Sequence, residues 1–262
     1  VFNLIRESLW FSYDGKYSYD YGIMNVNISN SGMVTEPFTA NKKINEVAIK
    51  GNPKPYFQGV EYEPLEFDLE LAFVDSFDSD KLRDVARWLC GKEYYKPLFF
   101  NENRERIFYC MTVDEPQLVH TGAGQGYIKV TMRCDSPYSY SPVFTESYTI
   151  SGSATVGQLL KISNRGDLSC FPELWITKTG NGDFRIINTT NGGKEFKFTS
   201  LINGEVVYVD NEWNHIETSL ANTYRYSNFN GNYLELVTGV NNLMIYGDGI
   251  IKFRYQFKTL QG

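Results

Sequence analysis

Histidine is scarce in this chain, with His120 and His215 the only two among 262 residues. Neither has a cysteine or carboxylate at the spacing that metal ligation requires, so no zinc site is expected and each reads as a surface loop residue. Cysteine is sparse as well. Cys90, Cys110, Cys134 and Cys170 lie far apart in strand-like or helix-like stretches, which suits buried free thiols better than a disulfide framework. No run of 18 apolar residues could span a bilayer as a helix. The opening VFNLIRESLW is broken by Arg6 and Glu7, so no secretory hydrophobic region is expected and the chain reads as soluble and not exported. Basic residues are outnumbered, 25 to 31, and a net charge of -6 argues against stable binding to a phosphate backbone. There is no C-x-x-C, Walker loop, G-x-S-x-G elbow or H-E-x-x-H, so the usual nucleotide and hydrolase signatures are missing. An enzyme is not expected, and no cofactor is called for.

Aromatic side chains are abundant. The 19 Tyr, 18 Phe and 4 Trp favour pleated, half-buried surfaces and protein–protein contacts. With 42% hydrophobic and 21% charged residues the composition is that of a globular protein, and the length suits two domains.

Asp14-Gly15 between aromatic runs predicts an opening hairpin. Residues 41–64, with Pro53, Pro55, Pro64, Gly51 and Gly59 and little periodicity, read as a long loop leaving the core for an external partner. Leu65, Phe67, Leu69, Leu71 and Phe73 alternate with polar residues and predict the clearest strand. Leu82, Val85, Ala86 and Leu89 fall at helical spacing, with Asp78 or Ser79 as cap and Gly91 as stop. Strands are predicted over 107–113 and 127–134, joined by a flexible 121–126 connection. Residues 135–142 read as an extended boundary segment. Beyond it, strands at 171–178, 184–188, 196–201, 206–210, 233–237, 243–246 and 250–257 alternate with Gly and Asn turns, the rhythm of an antiparallel sandwich. The fold class is mainly β. An N-terminal α+β domain over 1–140, a sheet with one helix and a long loop, precedes a C-terminal antiparallel β-sandwich over 141–262.

Few residues invite chemistry. Asp75, Asp78 and Asp80 lack the Gly and Glu positions of an EF-hand loop and read as acids at a helix N-terminus. Glycosidase-like carboxylate pairs cannot be singled out among so many acids. Trp175, Trp213, Tyr224 and Tyr226 are candidates for a sugar-stacking platform, against the ordinary reading of sandwich core and strand pairing. Val47, Ile49, Tyr56, Phe57 and Val60 are the apolar residues that the long loop offers to an oligomer interface.

The order of these features carries a resemblance. Phe11, Asp14-Gly15, Ser18, Asp20 and Gly22, the 43–56 loop, and the alternating strand followed by the capped helix ending Arg87-Trp88-Leu89 resemble the distal tail proteins of long, non-contractile-tailed bacteriophages. Pro97-Leu98-Phe99-Phe100, Tyr109 and Cys134-Asp135-Ser136-Pro137-Tyr138 continue the pattern. In the second half Asn164-Arg165-Gly166, Phe171-Pro172, Val209-Asp210, Gly239 and Asn241-Asn242 are similar to that family's sandwich, of galectin-like or carbohydrate-binding-module-like kind, mainly in texture. The resemblance implies a hexameric ring of N-terminal domains at the tail tip of the virion, built in the host cytoplasm. Its implied partners are further copies of itself, the tail tube protein, the tail hub, and a receptor-binding protein or host surface glycan. DNA would pass through the ring without stable binding, slid along by like-charge repulsion. A free carbohydrate-binding module recognising wall sugars is the alternative.

Overall fold

The computed structural model describes residues 8–28, 35–152 and 155–260. The opening segment on which the leader expectation turned, residues 1–7, lies outside the described residues. The chain divides into two compact units, the first reaching Tyr140 and the second covering Ser141–Thr259.

In the first unit the strands are β1 (Phe11–Tyr13), β2 (Lys16–Tyr17), β3 (Ile23–Val26), β4 (Lys42–Val47), β5 (Tyr56–Tyr62), β6 (Glu66–Phe73), β7 (Lys96–Phe100), β8 (Asn103–His120), β9 (Gly126–Cys134) and β10 (Ser139–Tyr140). Seven of them follow one another in a sheet in the order β2-β1-β7-β8-β9-β6-β3, and β10 joins it off that path through β8, every pair antiparallel. The turn between β1 and β2 holds Asp14 and Gly15 at φ 52° and 73°, the left-handed pair a two-residue hairpin needs. Period-two alternation puts Phe67, Leu69, Leu71 and Phe73 on one face of β6, all buried.

Helix α1 (Ser79–Leu89) covers that face. Asp78 caps it by accepting the Lys81 N–H, and Val85, Trp88 and Leu89 turn inward. Trp88 is the main anchor. Its ring stacks on Tyr21 at 4.3 Å and on Phe11 at 5.7 Å, and its Nε1–H donates to the Tyr13 carbonyl at 2.9 Å. Gly91 does not close the helix through a positive φ. It stands there because a Cβ would meet the Arg87 carbonyl oxygen at 2.7 Å.

Several sequence expectations are corrected here. Residues 41–64 are an ordered two-stranded ribbon, β4 paired with β5, and not a loop. Neither side of the ribbon is buried, so it leaves no alternating signal. Strand β8 runs past residue 113 to His120 through a bulge where Asp114 takes φ 58°. The 121–126 connection is a tied turn: the Thr121 N–H bonds to the Gln125 carbonyl at 2.9 Å, and the Gly124 carbonyl accepts from Phe77 at 2.8 Å. Cys110, Cys134 and Cys170 are buried free thiols, whereas Cys90 at the helix end is exposed. His120 and His215 lie on strand ends, exposed.

The second unit packs two sheets face to face. Its strands are β11 (Phe144–Ser151), β12 (Gln158–Asn164), β13 (Glu173–Lys178), β14 (Gly182–Asn188), β15 (Lys194–Leu201), β16 (Val206–Asp210), β17 (His215–Thr218), β18 (Gly239–Tyr246) and β19 (Asp248–Tyr255). One sheet runs β11-β19-β13-β16-β17 and the other β12-β18-β14-β15. Leu174, Ile176, Ile251 and Phe253 meet Phe184, Ile186, Phe196, Phe198, Leu243 and Ile245 in a single apolar core. Ile251, Phe253, Tyr255 and Phe257 are all buried, as their alternation predicts.

Residues 233–237 alternate like a strand and bury Leu234 and Leu236, yet pair only by a bridge from Leu236 to Cys170. Asparagine side chains meet much of their backbone instead. Asn211 Oδ1 accepts from Leu234, Asn241 Oδ1 from Val237, and Asn188 Nδ2 donates to the Glu235 carbonyl.

Replacing Trp88 by Ala should destabilise the chain by about 3–5 kcal/mol through lost contacts and a cavity. Trp88→Phe, which keeps a ring but strips the donor from a buried carbonyl, should cost less, about 1–3 kcal/mol. Urea unfolding followed by circular dichroism would rank the two.

Candidate subunit-docking ribbon

Strands β4 and β5 pair in register from Lys42↔Tyr62 to Val47↔Tyr56, with a bulge opposite Asn45 and Glu46 that leaves Gln58 unpaired. Side chains opposite one another share a side, so Ile44, Val60, Phe57 and Tyr62 line one side with Lys42 and Glu46. Val47 and Tyr56 share the other with Lys43, Asn45 and Glu61. At the root the Glu63 N–H donates to the Asn41 carbonyl at 3.0 Å, extending the pairing, and Tyr62 reaches the body, 6.4 Å from the ring of Tyr138. Asn45 Nδ2 bonds to Glu61 across the strands at 2.7 Å. At the tip the Asn52 N–H closes a turn on the Ile49 carbonyl.

The five apolar residues singled out in the sequence are all exposed, Phe57 at 67% and Tyr56 at 59%. Four sit on the strands and Ile49 at the tip, so the ribbon brings them together on one element. Ile44, at 60%, and Tyr62 belong with them and escape a reading of the sequence. Only the register shows that Ile44 stands opposite Val60. An isolated two-stranded hairpin is marginal in water, and one with this much uncovered apolar surface is an association hazard unless something covers it.

The second unit's aromatic candidates do not form one platform. Trp175 projects from the outer face of β13, where Tyr208 lies 4.9 Å from its ring and Lys252 Nζ sits 4.0 Å from its centroid. Tyr226 caps the free edge of β17 by accepting the Ile216 N–H through its hydroxyl. Trp213 and Tyr224, at 81% and 82% exposure, stand on the turn before β17 and the loop after it. That loop is held by a buried ion pair. Arg225 Nε and Nη2 both donate to the Glu205 carboxylate, at 2.7 and 2.6 Å, and Thr218 and the Ile202 N–H donate to it too. Burial by itself would push Glu205 up, but these donors bring it below the usual carboxylate range. Among the described residues no three His, Cys, Asp or Glu side chains converge as a metal would need.

Residues 6–136 are matched by a family model described as the phage tail protein N-terminal domain, and residues 138–255 by the phage tail C-terminal domain. The SPbeta prophage-derived protein YomH of Bacillus subtilis (strain 168) is 33% identical over 257 residues, which is 98% of this chain and 100% of that protein. The chain belongs to this family of phage tail proteins. In fold it matches the crystal structure of the SPP1 Dit (gp 19.1) protein with a TM-score of 0.67 at 14% identity, over 95% of this chain and 99% of that one. That structure is described as a paradigm of the hub adsorption apparatus in phages infecting Gram-positive hosts. The reading of the sequence as a phage tail protein is borne out in family, and its likeness to distal tail proteins in fold.

Because Glu205 is depressed in the folded chain, its contribution to stability is complete above the unfolded value near pH ~4.3 and is lost as pH falls through the lower folded value. Replacing Arg225 by Met strands the buried carboxylate and should cost about 3–5 kcal/mol at neutral pH. That loss should shrink in acid, and urea unfolding of both proteins across pH 3–7 would test it.

Proposed function

We propose that this phage tail protein is a distal tail component whose N-terminal units assemble into a ring, six copies in the reading taken from the sequence. The ring joins the tail tube to the hub and adsorption apparatus and leaves a passage for DNA. The observation that carries this reading is the β4–β5 ribbon, whose two sides expose Ile44, Val47, Tyr56, Phe57, Val60 and Tyr62 on an element with no core of its own. A neighbouring copy that covers the ribbon supplies the apolar contacts the ribbon lacks. Such a contact is heterologous, one surface meeting a different one, and closes a ring when its rotation divides the circle.

The alternative, glycan recognition by the second unit, is favoured by Trp213 and Tyr224, whose rings stand uncovered in adjoining loops. Trp175 supports it less, because Lys252 and Tyr208 crowd its ring. Wall polysaccharide offered to the full chain separates the readings. Binding lost in a Trp213→Ala, Tyr224→Ala variant favours the sugar site, and ring formation that is indifferent to sugar favours the structural one.

For the ribbon, deletion of residues 47–59 should collapse the assembled mass to that of a single chain in light scattering and negative stain. Ile44→Asp with Phe57→Asp should do the same while changing the chain's own stability by no more than about 0.5 kcal/mol, as exposed positions allow. An assembled mass that survives both changes would remove the ribbon from the interface.

A further inference from the structure

Cys110 on β8 and Cys134 on β9 are directly opposite one another in the sheet, both buried and both free. The hydrogen bonds around them decide the type of pair. The Cys134 N–H points away from β8, to the Leu65 carbonyl at 2.8 Å, while the next residue, Asp135, bonds to the carbonyl of Tyr109 on β8 at 2.9 Å. Cys110 and Cys134 therefore form a non-hydrogen-bonded antiparallel pair. Such pairs bring the α-carbons to about 4.5 Å and place the side chains side by side on one face. A disulfide spans α-carbons about 4.4–6.8 Å apart, so this position meets the distance a bridge requires.

We propose that Cys110 and Cys134 are a dithiol site that closes to a cross-strand disulfide when an oxidant of the small-molecule disulfide or azo class reaches it. With a disulfide R–S–S–R, one cysteine thiolate attacks a sulfur and expels R–S⁻. The second cysteine then attacks the mixed disulfide and expels the other R–S⁻. One protein S–S bond forms, two thiols are oxidised, the reagent leaves as two thiols, and the two protons go to the leaving thiolates.

The surroundings make the reaction slow and specific. Burial pushes both thiols above their ordinary range, which keeps the reactive thiolate rare until the sheet opens locally. The bond would clamp β8 to β9 around the segment that carries the Asp114 bulge and the 121–126 turn. On the function proposed above the chain is made in a reducing cytoplasm and acts outside the cell, so the dithiol would be reduced during folding and meet oxidants only afterwards.

The full chain is treated with diamide, alkylated, and digested without reduction for peptide mass spectrometry. Diamide takes up the two electrons and two protons at its N=N bond and leaves as the hydrazine. The expected product is one linked peptide pair, Cys110 with Cys134, lighter by two hydrogens, with Cys170 still in its own unlinked peptide. The unfolding midpoint of the oxidised chain should rise and return on adding dithiothreitol. Diamide applied to the chain in urea checks that the reagent is active. Linkage in urea but none in the folded chain, a bridge from Cys90 to either partner, or a bond that leaves the midpoint unmoved would each overturn the proposal.

Discussion

Each sheet in this protein has apolar side chains that must be taken out of water, and the means of doing so sets the role of each part. The second unit does it internally, with two sheets burying each other's inward residues. The first unit's main sheet does it with one short helix, and because the helix is short the burden falls on few side chains. Of its buried residues Val85, Trp88 and Leu89, Trp88 is the largest, stacked on Tyr21 and on Phe11 and hydrogen-bonded to the chain at Tyr13. The ribbon has neither means. Its apolar residues remain uncovered after the chain has folded, and that exposure is what the proposed interface rests on.

The sequence was legible where one side of a strand is apolar and buried and the other is polar. Strand β6 alternates because Phe67, Leu69 and Leu71 face the helix and Glu66, Asp68 and Glu70 do not. The same holds for β19, whose inward row could be listed before any coordinates. The helix cap was legible for a local reason, since Asp78 needs only the N–H three residues on.

Legibility failed where the physics is not periodic. Strand β11 pairs along its whole length with β19, yet its outward Thr and Ser and its Glu146 leave little contrast to read. In β12 the contrast is blurred by an exposed Leu159 beside buried Leu160, and β17 turns inward only Ile216. Residues 233–237 failed in the opposite sense. They carry a strand's alternation but take backbone partners from Asn164, Asn188 and Asn211 as well as from nearby Asn241, and nothing local announces that three distant asparagines will be buried. The exposed apolar residues of the ribbon, proposed above as docking residues, stood out as a set because the apolar content between residues 47 and 60 has no helix or sheet pattern to spend itself on. Ile44 and Tyr62 did not, since their membership depends on a register that a bulge at Gln58 adjusts.

An uncovered ribbon ought to aggregate through its edges, where unpaired N–H and carbonyl groups invite a further strand. The chain guards against this at the places where such pairing would start. Lys42, Lys43, Lys50 and Lys54 are exposed along the ribbon and its tip, Pro53 and Pro55 remove donors beside the turn, and the bulge with Gly59 at φ 152° bends β5 out of a flat ladder. The side-chain surfaces carry fewer such guards, with Ile44 facing Val60 and Val47 facing Tyr56. Edge pairing is blocked and face packing is left open. A partner would therefore seat against the ribbon's side chains, where shape selects it, in preference to adding a strand, which would admit any extended peptide.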